Sequence, residues 1–319
     1  MLLDRRILEF MTPIIAAQAP YLDPTNPASH AERRRMLAKQ HYQFFNSLSY
    51  PSYPNLTESD AQVETPSGSV SVRIFTPPAP APRPGYLFFF GGAFWQRSFD
   101  SPDVVNACRR AAAEAEVTVI EIDYPLAPEY PYPAAVEAGY AVLQWMFEQA
   151  DSLGLDPNRL AVGGQSSGAN LAASTALYSR DHGGPALKLQ ILEVPVLDLT
   201  GSHFIFPPNQ ENTTDSTLPA DFLEVLTIYG VADHVNEPYV SPLLAPDLTN
   251  LAPALILSAG DDLLRGDAEA YAGALSAVGV TVTQVTYSGQ IHATPGLSPL
   301  IPAADAWRAQ ISHALQTWL

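Results

Sequence analysis

Tyr86 to Phe90 is an unbroken apolar run of strand length. A strand of that kind is buried on both faces. Short segments rich in β-branched and aliphatic residues at Val117–Ile122, Leu160–Val162, Leu189–Val194, Ala254–Ser258 and Val280–Thr286 are further strand candidates. Between and after them lie helix-length stretches with helical apolar spacing, at about 103–115, 134–150, 168–180, 267–278 and 303–318. Strands that alternate with helices predict an α/β fold: a mostly parallel central sheet flanked by helices on both faces. Earlier in the chain the pattern differs. Helices are predicted at about 3–17 and 29–48, separated by Pro20, Pro24 and Pro27. Ser29 suits the N-cap of the second, and Pro51 and Pro54 end it. Val70, Val72 and Ile74 alternate after a Ser67-Gly68 turn, which predicts a β-hairpin over 63–77. Residues 200–232 interrupt the alternation with polar, proline-rich sequence and one short helix near 219–228, an excursion that suits a cap segment.

Composition narrows the possible roles. Of 319 residues, 47% are hydrophobic and 15% charged, which predicts a large buried core and argues against disorder. The net charge of −17 comes from 33 acidic residues against only 16 Lys and Arg. Such a surface repels nucleic acid and anionic lipid. The single cysteine, Cys108, excludes an intramolecular disulfide and a thiolate metal cluster, and its setting predicts a packed core thiol. No stretch reaches the roughly 18 apolar residues of a membrane span. Met1 to Pro20 superficially resembles a signal peptide, but Asp4, Glu9 and Pro13 break the pattern. Leu2, Leu3, Ile7, Leu8 and Met11 instead share one face of an amphipathic helix, and a cytoplasmic protein is expected.

The strand Leu160–Val162 runs into Gly163-Gly164-Gln165-Ser166-Ser167-Gly168. Gly164-x-Ser166-x-Gly168, with a strand before it and a helix after it, is the pattern of a nucleophile elbow. A sharp strand-to-helix turn strains the nucleophile's backbone, and side chains two positions either side would collide. Ser166 needs a base. His292 follows the strand ending near Thr286, at the carboxyl end where open α/β sheets place their sites. An acid is available at Asp261 or Asp262, just after the strand Ala254–Ser258. The order Ser, Asp, His is the one this elbow uses. His30, His41, His182, His203, His234 and His313 fall in helical, loop or cap positions. The predicted chemistry is attack by Ser166, general-base catalysis by His292 and an acyl-enzyme, with activity falling as pH drops through the imidazole range of roughly 6–7. Ser167 N–H and donors from Gly91-Gly92-Ala93 are the predicted oxyanion hole.

At this point the chain resembles the hormone-sensitive lipase family of bacterial esterases. The resemblance rests on Phe90-Gly91-Gly92-Ala93-Phe94-Trp95, on Asp123-Tyr124-Pro125-Leu126-Ala127-Pro128-Glu129, on the elbow, on Tyr239-Val240-Ser241-Pro242-Leu243, on Asp262-Leu263-Leu264-Arg265 and on His292. It implies the α/β-hydrolase fold, with a helical cap formed by residues 1–60 and 200–232 over a core of 61–199 and 233–319. It also implies hydrolysis of short- to medium-chain acyl esters without metal or cofactor, and it selects Asp262 over Asp261 as the acid. Four positions depart from the family. Phe90 replaces a His that helps hold the oxyanion loop, so the loop must be packed rather than tied. Ala93 replaces a Gly, and Gly-Gly-Ala loops resemble forms that tolerate bulky alcohols. Gln165 stands where an acidic residue is usual, and Pro125 where Arg is usual. Phe94, Trp95, Phe204, Phe206, Tyr21 and Phe10 are the aromatic candidates for the substrate pocket. An amidase or aryl-formamidase would use the same triad. A non-catalytic small-ligand binding protein, as the related plant gibberellin receptors are, would lack the triad histidine that His292 supplies here. The expected partner is a small ester, with no nucleic acid and no stable membrane insertion, acting as a monomer or homodimer.

Overall fold

The computed structural model describes residues 5–23, 25–96, 99–206 and 218–319. Two helices come first, α1 (Arg5–Leu22) and α2 (His30–Asn46). Strands β1 (Thr57–Thr65), β2 (Gly68–Thr76) and β3 (Arg83–Phe89) follow, then α3 (Pro102–Ala115), β4 (Thr118–Ile122), α4 (Ala134–Glu148) and α5 (Ala150–Leu153). The central unit is β5 (Leu155–Gln165), α6 (Ser167–Asp181) and β6 (Leu187–Glu193). After α7 (Ala220–Tyr229) come β7 (Ala254–Ala259), α8 (Arg265–Ala277), β8 (Val282–Tyr287) and α9 (Pro302–Trp318).

The strands form one eight-stranded sheet in the order β1-β2-β4-β3-β5-β6-β7-β8. β1 and β2 pair antiparallel, and so do β2 and β4. Every pairing from β4 through β3, β5, β6 and β7 to β8 is parallel. Central strands are buried along their lengths because helices cover both faces: β4 and β7 expose no residue. The edge strand β1 is the opposite case, with Glu58, Asp60 and Glu64 exposed along it. Charges of this kind keep a free edge from pairing with another chain. The parallel strands end on one side of the sheet, and the turns that follow β3, β5, β7 and β8 gather there. Among the described residues no helix is long and apolar enough to cross a membrane.

Three expectations need correction. The first helix does not stop at about 17 but runs through Pro13 and Pro20 to Leu22. Pro20 removes one donor, yet the carbonyl it leaves, on Ala16, belongs to an exposed residue that water can serve. The hairpin begins at Thr57 rather than Val63, because the outer half of β1 is polar and carries no alternation. β5 begins at Leu155, well before the apolar run, where Leu155 pairs with Arg83 across an irregularity in the ladder. Ser29 caps α2 as expected, accepting the Glu32 N–H at 3.3 Å. The short helix of the excursion is α7. Leu2, Leu3, Pro24 and the 207–217 part of the excursion lie outside the described residues.

α1 and α2 pack on the far end of the chain as well as on each other. Ile7, Met11 and Ile14 of α1 form a separate apolar cluster with Phe45, Leu297, Ile301 and Ala304. Arg33 of α2, only 2% exposed, reaches Glu224 of α7 through two hydrogen bonds of 2.5 and 2.9 Å. Arg33 also donates to the Tyr21 carbonyl and lies over the Trp95 ring, 5.1 Å from its centroid.

Candidate active site

The elbow is built as the glycine spacing requires. Ser166, at the junction of β5 and α6, has φ 57° and ψ −121°. A Cβ on Gly164 would lie 2.4 Å from the Gly168 carbonyl oxygen and 2.6 Å from that of Phe89. One on Gly168 would meet the Phe89 carbonyl oxygen at 2.2 Å. Side chains at either place would drive β5 and β3 apart. The Ser166 N–H is held by the Glu193 carbonyl at 2.8 Å. Glu193 itself is fully buried at the end of β6, where Arg308 binds both its oxygens, at 3.0 and 2.9 Å, and Trp307 Nε1 donates at 2.9 Å. Burial raises this carboxyl above its usual range, and the Arg308 charge pulls the other way.

Three loops converge over Ser166. His292 Nε2 lies 2.8 Å from Ser166 Oγ, and His292 Nδ1 lies 2.8 Å from Asp262 Oδ2. Asp262 is buried, and its other oxygen accepts the Leu264 N–H at 3.0 Å, which fixes the carboxylate plane. The neighbouring Asp261 turns away, its N–H bonded to the Gln290 carbonyl. Other histidines have other partners: His41 pairs with Asp103 at 3.1 Å, His203 with Asp198 at 2.9 Å and His234 with Glu237 at 2.6 Å. His182 stacks on Tyr178 at 3.8 Å.

The loop after β3 is a tight turn closed by Trp95 N–H to the Gly92 carbonyl at 3.1 Å. Gly92 has φ 154°, a conformation that glycine supplies, while Ala93 and Phe94 sit in the left-handed region at 51° and 65°. The alanine therefore adopts a conformation open to L-residues at a cost, and glycine is reserved for position 92. Phe90 is packed as expected, its ring stacked on Tyr124 at 4.4 Å. The expectation that the loop lacks a tie is corrected, because Tyr124 Oη donates to the Phe90 carbonyl at 2.9 Å. A second tie was not visible in the sequence: the Gly92 N–H donates to Ser167 Oγ at 3.0 Å. Of the predicted oxyanion donors, Gly92 is thus engaged in this structure. The N–H groups of Ala93 and Ser167 have no acceptor among the described residues.

Ser166 opens into a cavity of about 650 Å³. Phe94 and Trp95 line it, together with Leu199, Ile291, and Phe222 and Val225 of α7. Phe204, Phe206, Tyr21 and Phe10 are not among its walls. Phe204 stands behind it, edge-on to Phe222 at 4.8 Å, and Phe206 is 43% exposed. On α1 the walls are Met11, Ile15 and Leu22 rather than Phe10 or Tyr21, because the helix turns a different face inward. A smaller space of about 250 Å³, lined by His41, Phe45, Asp103 and Gln165, also reaches Ser166 and His292. Among the described residues no group of three acid, histidine or cysteine side chains is arranged to hold a metal ion.

Comparison with known proteins agrees with this architecture. Residues 86–295 match a family model described as alpha/beta hydrolase fold. Esterase LipI of Mycobacterium tuberculosis is 35% identical over 260 residues, 80% of each chain. An ethyl acetate hydrolase of Pseudomonas putida is 34% identical over 271 residues, 82% of this chain and 83% of the relative. The structure of a hyperthermophilic esterase from the archaeon Pyrobaculum calidifontis superposes with a TM-score of 0.87 at 30% identity, covering 99% of both chains. Matches of this extent in sequence and in structure leave one assignment: the chain belongs to the α/β-hydrolase-fold family, in its hormone-sensitive-lipase-like group of carboxylesterases.

Proposed function

We propose that this carboxylesterase works by serine catalysis through an acyl-enzyme, with Ser166 as nucleophile, His292 as general base and Asp262 as its orienting acid. The observation that carries the reading is the unbroken chain of hydrogen bonds from Asp262 through His292 to Ser166, at 2.8 Å each. In this reading His292 Nε2 takes the Ser166 proton as Oγ attacks the ester carbonyl. The imidazolium then gives that proton to the departing alcohol. Water enters, His292 deprotonates it, and its attack on the acyl-enzyme releases the acid and restores Ser166. Asp262 accepts from Nδ1–H, which holds the tautomer with Nε2 free and stabilises the imidazolium. Ala93 N–H and Ser167 N–H receive the oxyanion.

The substrate is a small, fairly apolar ester. Support comes from the apolar walls of the 650 Å³ cavity, and from a relative whose name specifies ethyl acetate. Such a volume suits acyl chains of short to medium length and leaves room for a branched alcohol. Residues 1–60 and 200–232 are the two cap segments in this reading, over a core of 61–199 and 233–319, and among their described residues Met11, Ile15, Phe222 and Val225 wall the cavity. The test is hydrolysis of p-nitrophenyl esters from acetate to dodecanoate. Turnover of the short esters that vanishes in Ser166→Ala is the expected result, with the chain-length cutoff measuring the acyl pocket. Turnover retained by Ser166→Ala would overturn the assignment of the nucleophile.

A further inference from the structure

We propose that the side chain of Ser167 is a positioning residue: its hydroxyl ties the oxyanion loop to the elbow and sets the spacing of the two oxyanion donors. The proposal rests on the serine-esterase reading above.

The loop needs such a tie because its backbone is strained. Ala93 and Phe94 are consecutive non-glycine residues with positive φ, 51° and 65°. Conformations of this kind persist only where the surroundings over-determine them. Most of the anchors hold the loop to parts of the molecule other than the elbow. The Phe94 ring stacks on Tyr229, the last residue of α7, at 3.9 Å and 4° between planes. The Phe94 carbonyl accepts the Ala127 N–H at 3.1 Å. Arg34 of α2 donates to the Trp95 carbonyl at 2.5 Å. These contacts fix where the loop lies against the β4–α4 connection and the helices above it. They do not fix its distance from Ser166.

Among the described residues, a hydrogen bond crosses from loop to elbow at Gly92 N–H to Ser167 Oγ, 3.0 Å. Ser167 is fully buried, so water does not compete for this hydroxyl. Its position in the chain gives the contact its consequence. The Ser167 main-chain N–H is one proposed oxyanion donor, and Ala93, next to Gly92, carries the other. One residue thus supplies one donor directly and places the second through its side chain. An oxyanion is stabilised only when both donors lie about 2.7–3.1 Å from the position it will occupy. Loss of the tie leaves the apolar cavity walls in place, so substrate binding is unaffected and the tetrahedral intermediate alone loses stabilisation.

The experiment compares wild type, Ser167→Ala and Ser167→Thr, the last of which keeps the hydroxyl. For each, kcat and KM on p-nitrophenyl butyrate and the melting temperature are measured. A trifluoromethyl ketone serves as the second probe. Ser166 Oγ adds to its carbonyl carbon, the Ser166 proton passes to His292, and the resulting oxyanion occupies the hole; 19F NMR reads the affinity without turnover. For Ser167→Ala the expected result is kcat lowered about 10-fold, a fraction of the 10²–10³-fold cost of deleting a donor outright. The ketone should bind about 10-fold more weakly, with KM within about twofold and the melting temperature lowered by no more than a few degrees, the cost of one lost hydrogen bond. Ser167→Thr should retain most of both. An alanine variant as fast as wild type, or faster, with ketone affinity intact would overturn the proposal, since the hydroxyl would then be idle or would block Gly92. A fall in kcat that comes with a larger drop in melting temperature and a shifted KM would also overturn it, in favour of simple packing. Failure of the underlying serine reading looks different: wild type itself would form no ketone adduct.

Discussion

Asp261 and Asp262 are adjacent acids after the same strand, and apart from the family resemblance nothing in their local sequence distinguishes them. The fold does. Asp262 Oδ2 meets His292 at 2.8 Å, while Asp261 Oδ2 is buried without a hydrogen-bond partner among the described residues. The reason is the turn into α8: Leu264 N–H, two residues on, clamps Asp262 Oδ1 and aims the other oxygen at the imidazole. Substitution therefore separates the two. Asp262→Asn keeps an acceptor for Leu264 but no longer imposes the useful tautomer on His292, and kcat should fall about 10³–10⁴-fold. Asp261→Asn should change kcat by less than about threefold, since it removes no contact to the imidazole. Steady-state kinetics on one short ester checks both. The elbow and His292 were legible because their chemistry forces residue types into fixed places. The Gly92–Ser167 contact was not, because it depends on how two loops distant in the chain approach each other.

Among the elements, the strands buried on both faces were the ones the sequence made plain. β4, β7 and the Gly85–Phe89 part of β3 are buried at every position because helices cover both sides, and most of their residues are apolar. The polar outer half of β1 carries no such signal, since only one edge of it meets the sheet and its side chains face water. The pocket-facing sides of α1 and α7 were equally hidden, because helical periodicity shows that a face is apolar and not which cavity it meets. Helix α8 raises a different question, about pH. Asp267, in its first turn, is fully buried beside Asp198, and burial raises its carboxyl from 3.8 to about 7 despite hydrogen bonds from the Leu197 and Asp198 N–H groups. The folded protein thus holds a proton that the unfolded chain releases above about 4. Stability therefore falls as pH rises from about 4 to about 7 and is flat beyond. Between pH 5 and pH 8 the expected loss from this one group is on the order of 3 kcal/mol. Asp267→Asn, which cannot ionise, should lose correspondingly less across that interval. Urea denaturation of both proteins at the two pH values measures the difference, and equal pH dependence would show that Asp267 stays ionised in the fold.

At the scale of the whole molecule, the two parts of the proposed cap are far apart in the chain and meet at Glu224, which Arg33 binds and His30 approaches to 4.0 Å. Arg33 of α2 and Glu224 of α7 are joined at 2.5 and 2.9 Å, with side-chain exposures of 2% and 15%. Glu224 also lines the cavity that opens over Ser166. A pair this shielded has cost both partners their hydration, so it is poor evidence of net stabilisation, while removal of one partner strands the other. Arg33→Met should therefore lower stability by about 3 kcal/mol, whereas Arg33→Met combined with Glu224→Met should recover most of that loss. The functional consequence should follow the cavity rather than the triad. The single variant leaves a carboxylate without its guanidinium partner in a mostly apolar wall, so KM should rise more for p-nitrophenyl octanoate than for the acetate, with kcat on acetate little changed. The double variant should restore the longer ester. If instead kcat on acetate fell as far as activity on octanoate, the pair would be supporting the loop through Arg33 and Trp95, whose ring lies 5.1 Å from the guanidinium, and the cap would not be what the ion pair holds.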